Sequence, residues 1–211
     1  MINKVFVLGR TGSGKSTTVR MLTEELQQLG WAVESFNDYP FLREMFLVDD
    51  GKRFRPTEHN GFEVLDPWVY EEAFRRLKQK IQHFQPPSPK TLITIEFTSN
   101  NYLQVLKLFG SEFLQEAHYF FMLADLATCL SRVNQRTIHP EWPDDYYVLD
   151  TVLLQHYPCP YMPPIINNEY ATKIPNMGYL DELREYIRQL IPDLLKKIER
   201  ASPKRDLSLV G

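Results

Sequence analysis

Hydrophobic and polar positions divide the chain into short apolar runs and longer segments with helical periodicity. Four apolar or β-branched runs predict buried parallel strands: residues 5–8, 31–36, 91–97 and 119–123. Apolar residues recurring every three or four positions predict amphipathic helices over residues 15–29, 69–84, 103–109 and 126–136. Ile165 and Ile166 predict a short fifth strand. Residues 179–198 predict a terminal helix that Pro192 kinks or divides.

The segments between these elements carry the signals of turns and helix ends. Asp66 and Pro67 predict a helix start, with the aspartate as N-cap and the proline at the first helical position. Residues 37–63 show no regular pattern and are predicted to be irregular, and residues 146–156 predict a short helix within a proline- and tyrosine-rich stretch. Strands that alternate with helices predict an α/β fold whose parallel sheet is covered on both faces.

Composition narrows the class of protein. The 211 residues are 43% hydrophobic and 24% charged, with a net charge of -3, which argues against a dedicated nucleic-acid-binding module. No apolar run approaches the ~18 residues of a membrane span, and the first residues lack a secretory signal. The two cysteines, Cys129 and Cys159, suggest neither a disulfide framework nor a metal cluster, so we expect a cytoplasmic protein.

The strongest chemical signal follows the first predicted strand and matches the pattern G-x-x-x-x-G-K-S in full: Gly9, Arg10, Thr11, Gly12, Ser13, Gly14, Lys15 and Ser16, followed by Thr17. Glycines let successive backbone N–H groups turn inward around phosphates, and the helix N-terminus adds partial positive charge. Lys15 is expected to reach the β- and γ-phosphates, Ser16 to bind Mg²⁺, and Thr17 to approach the α-phosphate. The alternative is an ordinary glycine-rich turn. We expect Mg·ATP as the ligand.

With this loop between a strand and a helix, residues 2–198 resemble the nucleoside/nucleotide-kinase-like branch of P-loop NTPases. That branch includes adenylate kinase, gluconate kinase, chloramphenicol phosphotransferase and the zeta-toxin kinases. The resemblance implies a three-layer α/β P-loop fold with a five-stranded parallel sheet and a short lid. It implies one kinase-like domain over residues 1–200, with the lid and an acceptor-closing segment at about 132–163 and a tail from 201 to 211.

Two carboxylates correspond to acidic positions of this branch. Asp38 follows the second strand, where such kinases often place an aspartate that orients or deprotonates the acceptor hydroxyl. The alternative is a turn-forming Asn-Asp pair. Glu96 closes an apolar strand, where the branch uses an acid to hold Mg²⁺ through water. The alternatives are a contact with the acceptor and a solvated strand end.

Arg132 and Arg136 lie one turn apart near the end of a predicted helix. They resemble the lid arginines that neutralise charge on the transferring phosphoryl group. The alternative is a solvated helix end, which also favours cations. Arg132 is the slightly stronger candidate.

Weaker candidates surround the expected acceptor and adenine sites. The charged loop positions Arg43, Arg53, Arg55 and His59 are candidates to bind an anionic acceptor, and a solvated loop is an equal alternative. Residues 165–168 resemble the last strand and loop near the adenine, and residues 144–147 are candidates to close over an acceptor.

The sequence also departs from related patterns. It lacks the N-K-x-D guanine signature and zinc-binding cysteine pairs, and no nucleoside-monophosphate pocket can be matched residue by residue.

We therefore predict an ATP-dependent phosphotransferase with a small-molecule acceptor. One rival is an NTPase that acts as a switch or motor without an acceptor, and another is a module that holds nucleotide without turnover. The acceptor, the choice between ATP and GTP, and the oligomeric state stay open.

Overall fold

The computed structural model of the protein describes residues 2–57, 61–99, 101–138 and 168–201. The strands in these ranges are β1 Asn3–Leu8, β2 Ala32–Asn37, β3 Phe54–Pro56, β4 Phe62–Val64, β5 Thr91–Phe97, β6 His118–Leu123 and β7 Ala171–Pro175. The helices are α1 Lys15–Gln28, α2 Tyr39–Leu47, α3 Trp68–Gln82, α4 Tyr102–Phe109, α5 Ser111–Leu114, α6 Leu126–Ile138 and α7 Leu180–Ala201, with a 3₁₀ turn at Asn168–Tyr170. None of these helices is both long and apolar enough to cross a membrane.

Five strands form one parallel sheet in the order β2-β5-β1-β6-β7. The predicted fold, a five-stranded parallel sheet between two helical layers, is confirmed. Glu96 of β5 pairs with Val7 of β1 on one side and with Asn37 of β2 on the other. The carboxyl ends of these three strands therefore bring the phosphate loop, Asp38 and Glu96 to one edge, where ligands bind in open α/β sheets.

The central strand β1 divides the core between the two faces of the sheet. Phe6 and Leu8 point to the face covered by α3 and α4, and Val5 and Val7 point to the face covered by α1 and α7. This alternation follows from the two-residue period of a strand. All four side chains are fully buried, which explains why the strand reads as a continuous apolar run.

The prediction that residues 37–63 are irregular is wrong. The helix α2 and the antiparallel hairpin β3–β4 lie in this stretch or overlap its end, and they share a small core of Leu42, Met45, Phe54 and Phe62 with α3. The Phe46 and Phe62 rings stack with centroids 4.8 Å apart. Strands of three residues are too short to show an alternating pattern, so packing between aromatic rings rather than local periodicity defines them.

Two further predictions near the end of the chain need correction. The fifth strand of the sheet is Ala171–Pro175, a segment without a predicted element, and the proposed strand at 165–166 lies outside the described residues. The helix α7 continues through Pro192 and is not divided there. The predicted helix over 146–156, residues 144–147 and most of the predicted lid segment also lie outside the described residues, as does Cys159. Cys129 is buried and free.

The candidate active site

The loop between β1 and α1 has a backbone that only glycine adopts easily. Gly12 and Gly14 have φ angles of 78° and 96°, in the left-handed region. A Cβ atom on Gly12 would lie 2.5 Å from the carbonyl oxygen of Cys129, and one on Gly14 would lie 2.1 Å from Nδ2 of Asn176. Both glycines are therefore required by their own conformation and by close contact with neighbouring segments.

Lys15 is held over the loop by three acceptors. Its Nζ donates to the carbonyl oxygens of Gly9 and Arg10 at 3.1 and 3.0 Å and to Oγ1 of Thr98 at 2.7 Å. Burial lowers the pKa of Lys15 to about 8, and the carboxylates of Glu96 and Asp38 oppose that shift. The ammonium group therefore stays largely protonated at neutral pH, as a phosphate-binding group requires.

The Tyr102 hydroxyl fixes the first residue of the loop. It accepts a hydrogen bond from the backbone N–H of Gly9 and lies 3.1 Å from the carbonyl oxygen of the same residue, to which it donates. Thr98 Oγ1 donates to that carbonyl oxygen at 3.1 Å. Because Tyr102 is only 3% exposed, these bonds form in a dry environment where they hold the loop firmly.

Ser16 and Glu96 form an oxygen pair beside the loop. The Ser16 hydroxyl donates to Oε1 of Glu96 at 3.1 Å, and Oε2 of Glu96 is buried without a hydrogen-bond partner among the described residues. Burial raises the pKa of Glu96, while Lys15 and the Ser16 hydrogen bond lower it. A buried carboxylate oxygen without a partner costs free energy unless a cation or donor meets it. This pair therefore fits a magnesium ion whose other ligands are phosphate oxygens and water.

No group of three or more His, Cys, Asp or Glu side chains within the described ranges can hold a metal by itself.

Asp38 directly follows β2 and begins α2 through its backbone. Its carbonyl oxygen accepts hydrogen bonds from the N–H groups of Phe41 and Leu42, both at 3.2 Å, but its side chain makes no capping hydrogen bond. The carboxylate instead lines the cavity beside the phosphate loop. Burial raises the pKa of Asp38 to about 7; Glu96 adds to this rise and Lys15 opposes it.

We call this cavity the acceptor-side cavity. Its volume is about 310 Å³, the size of a small-molecule site. The described residues that line it are Thr11, Gly12, Gly14, Lys15, Ser16, Asn37, Asp38, Tyr39, Leu42, Phe62, Val64, Tyr70, Glu96, Phe97, Thr98 and Arg136.

A second cavity, the donor-side cavity, lies on the other side of the loop and has a volume of about 560 Å³. Gly14 and Arg136 border both cavities. The other described residues around the donor-side cavity are Thr17, Arg20, Arg132, Gln135, Asn176, Gly178, Tyr179, Leu180 and Leu183.

Asn176 connects this second cavity to the phosphate loop. Its Nδ2 donates to the carbonyl oxygen of Ser13 at 2.8 Å, and its backbone N–H donates to the carbonyl oxygen of Leu123 at 2.8 Å. The Arg132 guanidinium donates to the carbonyl oxygen of Asn176 at 3.0 Å and to its Oδ1 at 3.4 Å. Asn176 therefore joins β6, α6 and the loop in one hydrogen-bonded network.

The structure brings most of the predicted site residues together. Lys15, Ser16, Asp38, Glu96 and Arg136 surround the acceptor-side cavity. Arg132, the stronger of the two arginine candidates, lies instead at the donor-side cavity.

Each remaining loop residue also has a defined place. Thr11 and Gly12 line the acceptor-side cavity and Thr17 lines the donor-side cavity. The carbonyl oxygen of Arg10 accepts a hydrogen bond from the backbone N–H of Ser13 at 3.1 Å. The Arg10 Nε and the Ser13 hydroxyl are buried without a hydrogen-bond partner among the described residues.

The charged loop candidates are not brought to the cavity. Arg53 pairs with Asp49 at 3.3 Å, Arg55 forms an ion pair with Glu63, and Arg43 lies exposed on α2. None of the three arginines is among the described residues that line the acceptor-side cavity, and His59 lies outside the described residues.

Three contributors were missed from the sequence. Thr98 lies two residues after Glu96, so its place at a strand end was a usable signal. Tyr102 reads as a core residue of α4, and Asn176 follows a strand that was not predicted, so neither gave a local signal.

Comparisons with known proteins add the fold class. The amino-acid sequence matches no protein-family model and no curated protein. The structure is similar to an unliganded sugar kinase from Janibacter sp. HTCC2649, with a TM-score of 0.57 and 16% identity over 96% of this chain and 99% of that chain.

It is also similar to the APS kinase of Mycobacterium tuberculosis in complex with AMPPNP and APS, with a TM-score of 0.56 and 16% identity over 92% of this chain and 98% of that one. A gluconokinase from Sinorhizobium meliloti 1021 gives a TM-score of 0.55 and 14% identity over 95% and 98% of the two chains. The chain therefore has the fold of the P-loop nucleotide and sugar kinases, with the phosphate-binding loop between β1 and α1.

Proposed function

We propose that the protein is a kinase that transfers the γ-phosphoryl group of Mg·ATP to a hydroxyl group of a small molecule. The observation that carries the proposal is the position of the Asp38 carboxylate. It lines the same cavity as Lys15 and Glu96 and is not used to cap α2. An aspartate that only formed a turn would not need to place its carboxylate beside a phosphate-binding lysine.

In this proposal, the phosphate loop and Lys15 bind the β- and γ-phosphates through backbone N–H groups and the ammonium group. Ser16 ligates the magnesium ion, and Glu96 holds it through a coordinated water. The ion neutralises charge on the phosphate oxygens. Lys15 and Ser16 are the first two residues of α1, and the N-terminus of this helix adds partial positive charge.

Asp38 then orients the acceptor hydroxyl and accepts its proton as the oxygen attacks the γ-phosphorus. A pKa near 7 suits this role, because such a carboxyl group is about half ionised at neutral pH and its ionised form binds a proton well. Most of the remaining catalysis is positioning and charge stabilisation, as in other phosphoryl transfers.

The two arginines receive different roles. Arg136 borders both cavities, so it is suited to stabilise the phosphoryl group as it moves between donor and acceptor. Arg132 is bound to Asn176 beside the loop, so it is suited to hold the nucleotide. This division reverses the ranking of the two residues that the sequence favoured.

The proposal is tested by measuring ATP consumption across a library of hydroxyl-bearing metabolites, with Asp38→Asn and Lys15→Ala measured in parallel. We expect at least one compound to stimulate ADP formation by the wild-type protein, and both variants to lose that stimulation. Calorimetry with Mg·ATP, with Mg·GTP as comparison, confirms that Asp38→Asn still binds nucleotide.

The result also separates the rival functions. Steady ADP formation that no small molecule stimulates and that Asp38→Asn leaves unchanged would contradict the kinase proposal and favour an NTPase switch. Tight nucleotide binding without any turnover would favour a module that only holds nucleotide.

A further inference from the structure

The part of the acceptor-side cavity that lies away from the phosphate loop is walled by rings and branched apolar side chains. Tyr39 and Phe62 have parallel rings with centroids 6.4 Å apart, and Tyr70, Val64 and Leu42 complete the wall. Rings of this kind bind flat or apolar surfaces, and their hydroxyl groups accept or donate single hydrogen bonds.

Positive charge in this cavity is confined to its loop side. Among the described lining residues the cations are Lys15 and Arg136, while Asp38 and Glu96 are the acidic side chains. Lys15 is bound to the loop carbonyls, and Arg136 also borders the donor-side cavity. Both cations therefore face the space where the phosphates of a nucleotide would lie, and neither remains for a second anion.

The arginines close to the cavity wall are already neutralised. On the hairpin, Arg53 pairs with Asp49 and Arg55 with Glu63. On α3, two arginines repeat the pattern, Arg75 with Glu71 and Arg76 with Glu72, and Arg53 also contacts Glu72. A positively charged group that moved into the cavity would have to leave a carboxylate partner behind.

A neighbouring cavity of about 420 Å³ shares Tyr70 and Thr98 with the acceptor-side cavity. Its described lining contains Trp68 and Phe74, and Glu71 is the charged member of that lining. An acceptor larger than the first cavity would therefore extend toward a second aromatic wall that also lacks lysine and arginine.

Outside the described residues, lysine and arginine occur only in residues 202–211, as Lys204 and Arg205. Residues 139–167 contain no lysine and no arginine, but they contain four acidic residues: Glu141, Asp144, Asp145 and Asp150. Residues 58–60 add one further acid and one histidine.

From these observations, and resting on the kinase function proposed above, we infer that the acceptor carries no phosphate or carboxylate group and binds through an uncharged ring face. An anionic acceptor would meet Asp38, Glu96 and the aromatic wall, while the two cations of the described lining, Lys15 and Arg136, are those assigned to the nucleotide phosphates. Like-charge repulsion of this kind is an effective way to exclude a class of ligands.

The test uses the full chain and matched compounds built on one carbon skeleton. A sugar, its amino sugar, its uronic acid and its phosphate monoester form one set, and a nucleoside and its monophosphate form another. We expect the uncharged member of the active set to have a kcat/KM at least tenfold above that of the carboxylate or the phosphate.

A preference for the acid or the phosphate monoester would overturn this inference and leave the kinase function intact. ATP binding without consumption in the presence of any compound would overturn both. The two failures are therefore distinguishable in one experiment.

A pair of neighbouring substitutions then locates the preference. Val64→Lys introduces an ammonium group at the cavity, whereas Leu65→Lys introduces it at an exposed position that is not among the described lining residues. We expect Val64→Lys to raise kcat/KM for the uronic acid at least tenfold over wild type, with Leu65→Lys unchanged.

If Val64→Lys keeps its ATP affinity but its kcat/KM for the uronic acid equals that of wild type, the assignment of specificity to this wall is contradicted. If Val64→Lys does not bind ATP, Tyr39→Ala tests the same wall instead. It is expected to raise KM for the uncharged acceptor about tenfold without changing ATP affinity, and an unchanged KM would overturn the assignment.

Discussion

The two cavities on either side of the phosphate-binding loop differ in the balance of charged side chains in their described linings. The described lining of the donor-side cavity holds Arg20, Arg132 and Arg136 and no carboxylate. The acceptor-side cavity holds Asp38 and Glu96 and an aromatic wall, with its cations close to the loop. The described lining of one cavity is thus cationic, and that of the other has as many acidic as cationic side chains.

Under the kinase function proposed above, this difference would keep the two substrates apart. The arginine-lined side and the amides of the loop would attract a triphosphate. The acidic side chains of the other cavity would disfavour it there, so discrimination would rest on repulsion as well as on attraction.

The largest expected effect comes from removing the ammonium group that stands between the cavities. We expect Lys15→Ala to lower the rate of phosphoryl transfer by about 10³-fold, because a preorganised charged donor to the phosphates is lost. Calorimetry should also show weaker binding of Mg·ATP. The control is Lys52→Ala, which removes an exposed lysine paired with Asp50. Equal activity of Lys15→Ala and wild type would contradict the site.

The next effect separates the acceptor side from the donor side. Asp38→Asn should lower kcat by about 10²–10³-fold through loss of the proton acceptor, while the affinity for Mg·ATP stays within about twofold. Steady-state kinetics with the acceptor from the screen and calorimetry with ATP measure the two quantities. A parallel loss of ATP affinity would place Asp38 on the nucleotide side.

The same residue sets the pH dependence of the rate. Asp38 accepts a proton only when ionised, so wild-type kcat/KM for the acceptor should fall about tenfold per pH unit below a pH of about 7. This acid limb should disappear in Asp38→Asn. A limb that persists in the variant would assign it to another group.

A smaller effect distinguishes the two arginines. Arg132→Ala should raise the Kd for Mg·ATP about tenfold with little change in kcat, because its guanidinium contacts Asn176 at the donor-side cavity. Arg136→Ala should lower kcat more than it weakens ATP binding, since Arg136 borders both cavities. The opposite pattern would restore the ranking that the sequence favoured.

The smallest effect concerns stability. Because burial raises the pKa of Asp38 from 3.8 to about 7, the folded protein retains a proton that the unfolded chain releases as the pH rises through this interval. Stability is therefore lost between about pH 4 and pH 7, and the loss is complete above pH 7.

Asp38→Asn removes this cost, so it should unfold at a higher temperature than wild type at pH 8 but not at pH 4. A gain of about 1 kcal/mol corresponds to about 2–4 °C in Tm for a domain of this size. Scanning calorimetry at both pH values measures the difference, and the exposed Asp50→Asn is the control. A variant less stable than wild type at pH 8 would contradict the buried position of the carboxylate.

The sequence predicted those parts of the molecule whose signals are local. The phosphate loop is one contiguous stretch. The buried strands around Phe6 and Ile93 are apolar runs, so the central sheet could be predicted from them. The hairpin at Phe54 and Phe62 was missed because its strands are held by ring packing between segments. Ala171–Pro175 was missed because its residues alternate too little to indicate a strand.

The supporting contacts of the site were beyond prediction for the same reason. Tyr102 binds Gly9 across 93 positions, and Asn176 binds Ser13 across 163 positions. Neither residue type predicts such a partner, because aromatic residues on helices and asparagines in loops occur in many structural roles. The carboxylates were predictable because they end strands whose register brings them to one edge.

The hydrogen bond between Asn176 and Ser13 has a consequence for the synthesis of the protein. The asparagine that braces the loop is synthesised 163 positions after the loop residue that it contacts. A growing or prematurely ended polypeptide therefore carries a loop without its brace and without the last strand of the sheet. Under the kinase function proposed above, the loop would therefore reach its braced form only after β7 has been synthesised.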